Sequence, residues 1–425
     1  MSRLACVVLC AAVAVLGAAS CSKQEPPAAP AAQGAATPEL ITRGQYLTAA
    51  GDCYACHTVR GGEPYAGGLE MATPFGSLYT SNITPDRETG IGSWTADDFW
   101  RAMHEGKSKD GSFLYPAMPY TNYTKVTRDD SDAIYAYIMS LKPVQLKNRP
   151  HTLGFPYNQR ELMAGWRTLY FTPGVFKPDP KQSDEWNRGA YLVEGLGHCN
   201  ACHSARNILG AIAKEGDYSG GLIPLQNWYA PSLTSSRESG LGDWEIREIV
   251  DLLRTGVSAR GSVVGPMAAV VQHSLQELSM VDLSAISTYL KLQSEPPSSE
   301  PLLHSGPPAG LTGAMMIAGA KVYKDHCVAC HQADGMGIPR IYPPLAKNKA
   351  LTMRNPVNAI RVVLNGGFPP STEGNPRPYG MPPFYQDLDD EQVAAVVTYI
   401  RQSWGNRAQP TWPPEVERSR GVPVD

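Results

Sequence analysis

Three stretches decide how this chain is read: Cys53-Tyr54-Ala55-Cys56-His57, Cys199-Asn200-Ala201-Cys202-His203 and Cys327-Val328-Ala329-Cys330-His331. Each puts two thiols three residues apart, on one face of a helical turn, with an imidazole on the next residue. Outward from them, the same surroundings recur three times. Arg43-Gly44-Gln45-Tyr46-Leu47, Arg188-Gly189-Ala190-Tyr191-Leu192 and the weaker Gly319-Ala320-Lys321-Val322-Tyr323 read as short helices running into the doublets. Downstream, Gly90-Ile91-Gly92-Ser93-Trp94 is matched by Gly240-Leu241-Gly242-Asp243-Trp244, each leading into a helical pattern that stops at Gly106 or Gly256. The third copy has Ile360 to Leu364 and then Gly366-Gly367. Each copy closes on a further helix, read from Ala133 to Ile138, Ala285 to Leu290 and Ala395 to Ile400 by the spacing of their apolar residues. A glycine on the first helix permits close backbone approach and an aromatic on the last can pack against it, so the two ends of each unit are expected to cross. Strand signals are sparse throughout.

All three doublets fit C-x-x-C-H, the attachment pattern for c-type haem. The spacing has a chemical reason: two sulfurs on one helical face reach the two vinyl groups of one porphyrin edge as thioethers, while the next residue turns its imidazole to the iron. Zinc is a poorer reading, because three doublets with three histidines do not divide into closed four-ligand sites of one kind. A redox CxxC would want alternating strands and helices, which are absent. The expected cofactors are therefore three haem c groups, held by Cys53 and Cys56, Cys199 and Cys202, and Cys327 and Cys330, with His57, His203 and His331 on the irons. A thioether is the usual sixth ligand where a high potential is wanted. Each unit offers a methionine after the glycine-ended helix and before the closing one: Met118 in Tyr115-Pro116-Ala117-Met118-Pro119, Met267 in Gly265-Pro266-Met267, and Met381 in Tyr379-Gly380-Met381-Pro382-Pro383. Flanking prolines would stiffen these loops and hold the sulfur without a helix. Met71, Met103 and Met336 compete but have no counterparts in the other units. His198 and His326 read as polar loop groups, and so do His104, His151, His273 and His304. For Arg43, Arg188 and Arg206 a solvated surface charge is the favoured reading over pairing with a propionate.

The remaining three of nine cysteines, Cys6, Cys10 and Cys21, lie in or beside an apolar leader running from Leu4 to about Ala19 behind a single early cation, Arg3. Residues 1–21 read as a secretory signal. Cleavage among Ala18, Ala19 and Ser20 would leave a soluble N-terminus; alternatively, Leu16-Gly17-Ala18-Ala19-Ser20-Cys21 resembles a bacterial lipobox, with Cys21 as the lipidated first residue. Residues 22–38, rich in Pro and Ala, read as a tether. Within 425 residues, 40 glycines, 37 prolines and only 18% charged residues point to short helices joined by long, turn-rich loops. A formal charge of -3 offers no basic field for a polyanion, so nucleic-acid binding is set aside. No dinucleotide fingerprint, triad signature or substrate-pocket motif is present, so the substrate chemistry is expected to lie in another subunit and the chain to be no enzyme on its own.

Several longer stretches are more specific than C-x-x-C-H: Ala72-Thr73-Pro74-Phe75-Gly76, Asn82-Ile83-Thr84-Pro85-Asp86, Leu114-Tyr115-Pro116-Ala117-Met118-Pro119-Tyr120, Glu185-Trp186-Asn187-Arg188-Gly189-Ala190-Tyr191-Leu192 and Ser403-Trp404-Gly405-Asn406. On these the chain, from about Arg43 to Asn406, resembles the three-haem cytochrome c subunits of bacterial membrane-bound dehydrogenases, such as those serving quinohaemoprotein alcohol dehydrogenase and gluconate 2-dehydrogenase. The resemblance implies an all-α architecture of three tandem class I cytochrome c domains with long loops, at residues 39–150, 183–296 and 312–408. Residues 151–182 then form a linker with a candidate interfacial segment, 297–311 a second linker, and 409–425 a tail. It also implies a catalytic partner carrying pyrroloquinoline quinone or FAD, acting on CH-OH donors such as an alcohol or gluconate, with ubiquinone or a terminal oxidase as acceptor. The expected place is the periplasmic side of a bacterial membrane. Two other functions stay open on sequence: a stand-alone haem enzyme of peroxidase type and a free periplasmic carrier. With six cysteines consumed as thioethers and the others lost or lipidated, thiol titration of the mature protein should find no free thiol and no disulfide; either one breaks the assignment.

Overall fold

The computed structural model describes residues 36–212, 216–223, 226–235, 238–295 and 309–422. The leader with Cys21, most of the tether and most of the second linker lie outside the described residues. Each repeat begins with a helix that enters its doublet. The first unit comprises α1 (Pro38–Ala50), α2 (Ala96–Glu105) and α3 (Arg128–Ser140), and α4 (Met163–Tyr170) follows it. The second has α5 (Asp184–Tyr191), α6 (Ile246–Thr255), α7 (Pro266–His273) and α8 (Met280–Gln293). The third has α9 (Ala309–His326), α10 (Val357–Asn365) and α11 (Asp390–Gln402), and it ends on α12 (Pro413–Arg420).

The closing helices start where a side chain satisfies an orphan amide: Thr127, Ser279 and Asp389 accept from the N–H groups of Asp130, Asp282 and Gln392. Each then crosses the first helix of its unit. A β-carbon built on Gly44, Gly189 or Gly319 would collide with the carbonyl of Ala133, Ala285 or Ala395, and with the stem of Tyr137, Tyr289 or Tyr399. Only glycine permits this backbone contact, and the same two partners, an alanine carbonyl and a tyrosine stem, recur in every unit.

The architecture is not purely helical. Three small antiparallel sheets are present among the described residues: β1 (Glu70–Thr73), β2 (Gly76–Tyr79) and β3 (Thr152–Leu153); β4 (Gly221–Ile223) and β5 (Trp228–Ala230); β6 (Val257–Ser258) and β7 (Gly261–Ser262). Strands this short carry too few residues for a period-two pattern to show. The C-terminal stretch is likewise more than a tail, because α12 packs on α11 and buries Val416 in the third unit's core. Helix α9 also begins inside the stretch read as linker.

The first two units share one apolar core, which includes Leu47, Val126 and Ile134 from one and Leu192, Leu196 and Leu283 from the other. The third has its own, around Tyr323, Ile360 and Val397. A reciprocal polar lock explains the pairing. Arg43 reaches Asp130 of its own unit at 2.5 Å, and Tyr191 of the second unit donates to the other oxygen of Asp130 at 2.5 Å. In return Arg188 grips Asp282 at 2.8 and 2.7 Å, and Tyr46 of the first unit donates to that carboxylate at 2.6 Å. Arg43 and Arg188 are thus bound to carboxylates rather than simply solvated. At the corresponding places the third unit has Ala318, Lys321 and Gln392, which cannot make the lock. It meets the second unit without a shared core: Asn358 exchanges two hydrogen bonds with the Tyr229 backbone at 2.8 and 2.7 Å, Lys349 reaches Asp243 at 2.9 Å, and Arg361 stacks over the Trp228 ring.

The linker between the first two units is fastened along its length. Arg160 donates to the Phe113 carbonyl, Trp166 to that of Leu209, and the Phe176 amide to that of Lys125, each at 3.0 Å. The same stretch exposes apolar side chains, with Phe155, Leu162 and Leu169 exposed at 81%, 58% and 70%. No helix among the described residues is long and apolar enough to cross a membrane.

Helix propensity alone favours alanine over glycine by about 1 kcal/mol. At Gly319 the carbonyl collision should reverse that sign, and Gly319→Ala should lose roughly 1–3 kcal/mol, read as a lower Tm. Gly165→Ala in α4, where nothing lies within 4 Å, should be neutral or stabilising. A second expectation concerns acid. Burial raises the Asp282 pKa, but the bonds from Arg188 and Tyr46 outweigh it and hold the carboxyl below its ordinary range. A carboxyl depressed in the folded state adds stability above its unfolded pKa of about 3.9, and that stability is lost as the pH falls through the folded value. Asp282→Asn should therefore be less stable than the parent at neutral pH, with the difference shrinking in unfolding curves taken below about pH 4.

Candidate functional site

The doublets occupy short helical turns at the ends of the opening helices, Cys53–His57, Asn200–His203 and Val328–His331. In each turn the histidine is held the same way. Nδ1–H of His57 donates to the Ser81 carbonyl at 2.7 Å, that of His203 to Pro231 at 2.7 Å and that of His331 to Pro343 at 3.2 Å. A carbonyl can only accept, so the ring proton sits on Nδ1 and the Nε2 lone pair is left for a metal. Burial pushes all three histidines below their ordinary pKa, against the smaller opposing effect of the carbonyl bond, which keeps them neutral as ligation requires.

The sheets have a part in this. β2 and β5 end just before Ser81 and Pro231, delivering the accepting carbonyls. A second anchor is formed by Gly67, Gly220 and Gly337, whose N–H groups donate to the carbonyls of His57, His203 and His331 at 2.7, 2.9 and 3.1 Å. All three glycines have positive φ, and a β-carbon on any of them would strike backbone. Sequence reasoning missed them because they lie ten, seventeen and six residues past the histidine, with no common spacing.

The thiols are unpaired; Cys202 is exposed and the other five are partly buried. Burial raises Cys53, Cys56 and Cys199 to about 12 and Cys327 to about 11. At Cys56 the charges of Asp52 and of Cys202 in the second unit add to the effect of burial. Asp52 itself is pushed up to about 8 by burial. Arg206 is exposed, as expected, yet not free: it donates to the Ala201 carbonyl inside the second doublet at 2.6 Å and to that of Gly210 at 2.7 Å. His198 is packed, its ring edge-on to Tyr123 and its Nδ1 on the Leu196 carbonyl.

The three methionines lie against the cores that receive the doublets: Met118 and Met267 pack on the core that also takes Cys53 and Cys199, and Met381 on the core that takes Cys327. Met118 sits in a turn, its amide on the Tyr115 carbonyl at 3.0 Å, and Met381 exchanges two backbone bonds with Gly367 at 2.8 and 3.1 Å. Met267 departs from the expected loop. It lies in the first turn of α7, behind Pro266, because proline at a helix start fits the helical backbone it precedes. Of the competitors, Met103 is buried in the shared core and Met336 is exposed. No three His, Cys, Asp or Glu side chains converge as a metal site among the described residues.

Residues 41–142 and 316–404 match the cytochrome c family model. The chain is 42% identical over 385 residues to the cytochrome c subunit of gluconate 2-dehydrogenase from Pantoea cypripedii, covering 88% of this chain and 87% of that protein. The chain belongs to the cytochrome c subunits of dehydrogenase complexes. The cytochrome c subunit of the quinone alcohol dehydrogenase of Gluconobacter oxydans is 41% identical over 389 residues, 88% of this chain and 80% of that one. A nicotinate dehydrogenase subunit of Pseudomonas putida is 43% identical over 393 residues, 91% of this chain, and this cytochrome spans only 32% of that relative. Membership brings covalently bound haem c with it, and the C-x-x-C-H turns with their free Nε2 atoms fit that group.

Proposed function

We propose that this cytochrome is a three-haem electron-transfer subunit that accepts single electrons from a catalytic dehydrogenase subunit, carrying pyrroloquinoline quinone or FAD and oxidising an alcohol, gluconate or a related substrate. It passes them to ubiquinone or a terminal oxidase at the periplasmic side of the membrane. The observation that carries the reading is the threefold recurrence of a histidine whose Nδ1–H is committed to a carbonyl beside a helical pair of thiols. Cys53 and Cys56, Cys199 and Cys202, and Cys327 and Cys330 would take the porphyrins as thioethers in three tandem units. His57 with Met118, His203 with Met267, and His331 with Met381 would hold the irons. Haem c, when bound, supplies a one-electron couple at its iron.

The chain's own residues do the positioning and tuning. The carbonyls of Ser81, Pro231 and Pro343 fix the imidazole planes, while the methionine thioethers favour the reduced form and so a high potential. The crossed helices keep water from the cores. Attachment to the membrane is assigned to lipid at Cys21 and to the exposed Phe155, Leu162 and Leu169 on and ahead of α4, a length suited to lying in an interface rather than spanning it.

The purified complex should contain three haems per chain, all low-spin and inert to added ligands. High-spin iron that binds exogenous ligands would instead favour a peroxidase. Met381→His should lower the potential of one haem in an optical redox titration and leave the other two nearly unchanged. If no haem shifts, Met381 is not the ligand.

A further inference from the structure

The contacts between the first and second units reach the two candidate centres themselves. Asn122, only 3% exposed, stands four residues after Met118. Its Nδ2 donates to the side-chain oxygen of Asn200 and to the carbonyl of Glu194, each at 2.8 Å. Asn200 is the first residue between Cys199 and Cys202. The reverse contact is also made. Tyr54, the first residue between Cys53 and Cys56, lies against the ring of His273 with centroids 5.1 Å apart, and His273 ends the helix that begins Pro266-Met267. Each doublet therefore rests on the segment that presents the other unit's methionine.

One inserted residue makes the first of these contacts available. Cys199 stands ten residues beyond Gly189, where Cys53 stands nine beyond Gly44, and the extra residue is absorbed as a π-helical turn over Leu192–Leu196. That turn interrupts the regular ladder and leaves the Glu194 carbonyl to accept from Asn122. The Glu194 side chain is held from both units as well, by Lys125 at 2.9 Å and by the Tyr289 hydroxyl at 2.5 Å. The third unit has Val328 in the place of Tyr54 and Asn200, and a core of its own.

We propose that the first and second centres form a coupled redox pair, with Asn122 and Tyr54 as its reciprocal positioning residues, while the third titrates independently. The inference rests on the reading of Met118 and Met267 as ligands. A unit of charge added at one centre acts on the other across the buried Asn122–Asn200 bond, and the shared contacts carry any shift of one methionine segment into the other attachment turn. The redox steps of such a pair belong to the pair and not to either member, as in coupled protonation.

The test is an optical redox titration of the full chain in its complex, with the haem content counted chemically. Asn122→Ala should move two of the three steps and leave the third in place. Tyr54→Leu, approached from the other side of the pair, should move the same two, and it serves alone if Asn122→Ala fails to accumulate. A variant retaining three haems in which one step, all three or none moves overturns the pairing. Fewer than three haems in the unmutated protein overturns the assignment of the doublets and the pairing with it, so the two failures are distinguishable.

Discussion

Three backbone contacts, Gly44 on Ala133, Gly189 on Ala285 and Gly319 on Ala395, set the geometry on which everything else is built. A helix pair that touches at the backbone has little freedom in crossing angle or register, because no side chain intervenes to be repacked. With the crossing fixed, the end of the opening helix is fixed, and the doublet turns occur there. The start of the closing helix is fixed too, and the methionine segment lies just ahead of it. The long loops between can then vary in length, as the irregular spacing of Gly67, Gly220 and Gly337 shows, provided each returns a carbonyl to the same imidazole nitrogen.

What could be read from the sequence follows from this. The doublets, the crossing glycines and the three methionine segments are local patterns in register with each other, so one chain was enough to expose them. The lock between the first two units was not legible. Arg43, Tyr46 and Asp130 are ordinary residues dispersed over some ninety positions, and their partners Arg188, Tyr191 and Asp282 lie farther on. Each alone reads as surface charge or core aromatic. Only the fold shows that each tyrosine serves the other unit's carboxylate. The backbone acceptors Ser81, Pro231 and Pro343 were hidden for a different reason, since a carbonyl leaves no mark on residue type. The helical setting of Met267 and the packed C-terminal helix were missed because proline, taken as a sign of loop, starts both helices.

The repeats are thus alike in their interiors and unlike in their company. Two carry the residues for reciprocal pairing and merge their cores; the third lacks all three lock residues and contacts its neighbour through hydrogen bonds, an ion pair and a few local packing contacts such as Arg361 over Trp228, with its core kept separate. Burial of apolar surface makes the first association the firmer one, since polar contacts exposed to water return much less. A sequence repeat therefore does not imply an equal partition of stability among its copies.

The lock is symmetric, and symmetry gives the linker a role beyond connection. The first unit of one molecule presents the surface that the second unit of another would accept, so two chains could exchange units without changing a single interface contact. Covalent joining counters this by raising the effective concentration of the native partner, and the gain is greatest when the connection is short or stiff for the span it covers. Here the strap from β3 through α4 to Phe176 is fastened to both units it joins. Its hydrogen bonds on Phe113, Leu209 and Lys125 decide which copy of the partner is met first, and so keep domain exchange between molecules from competing with closure within one.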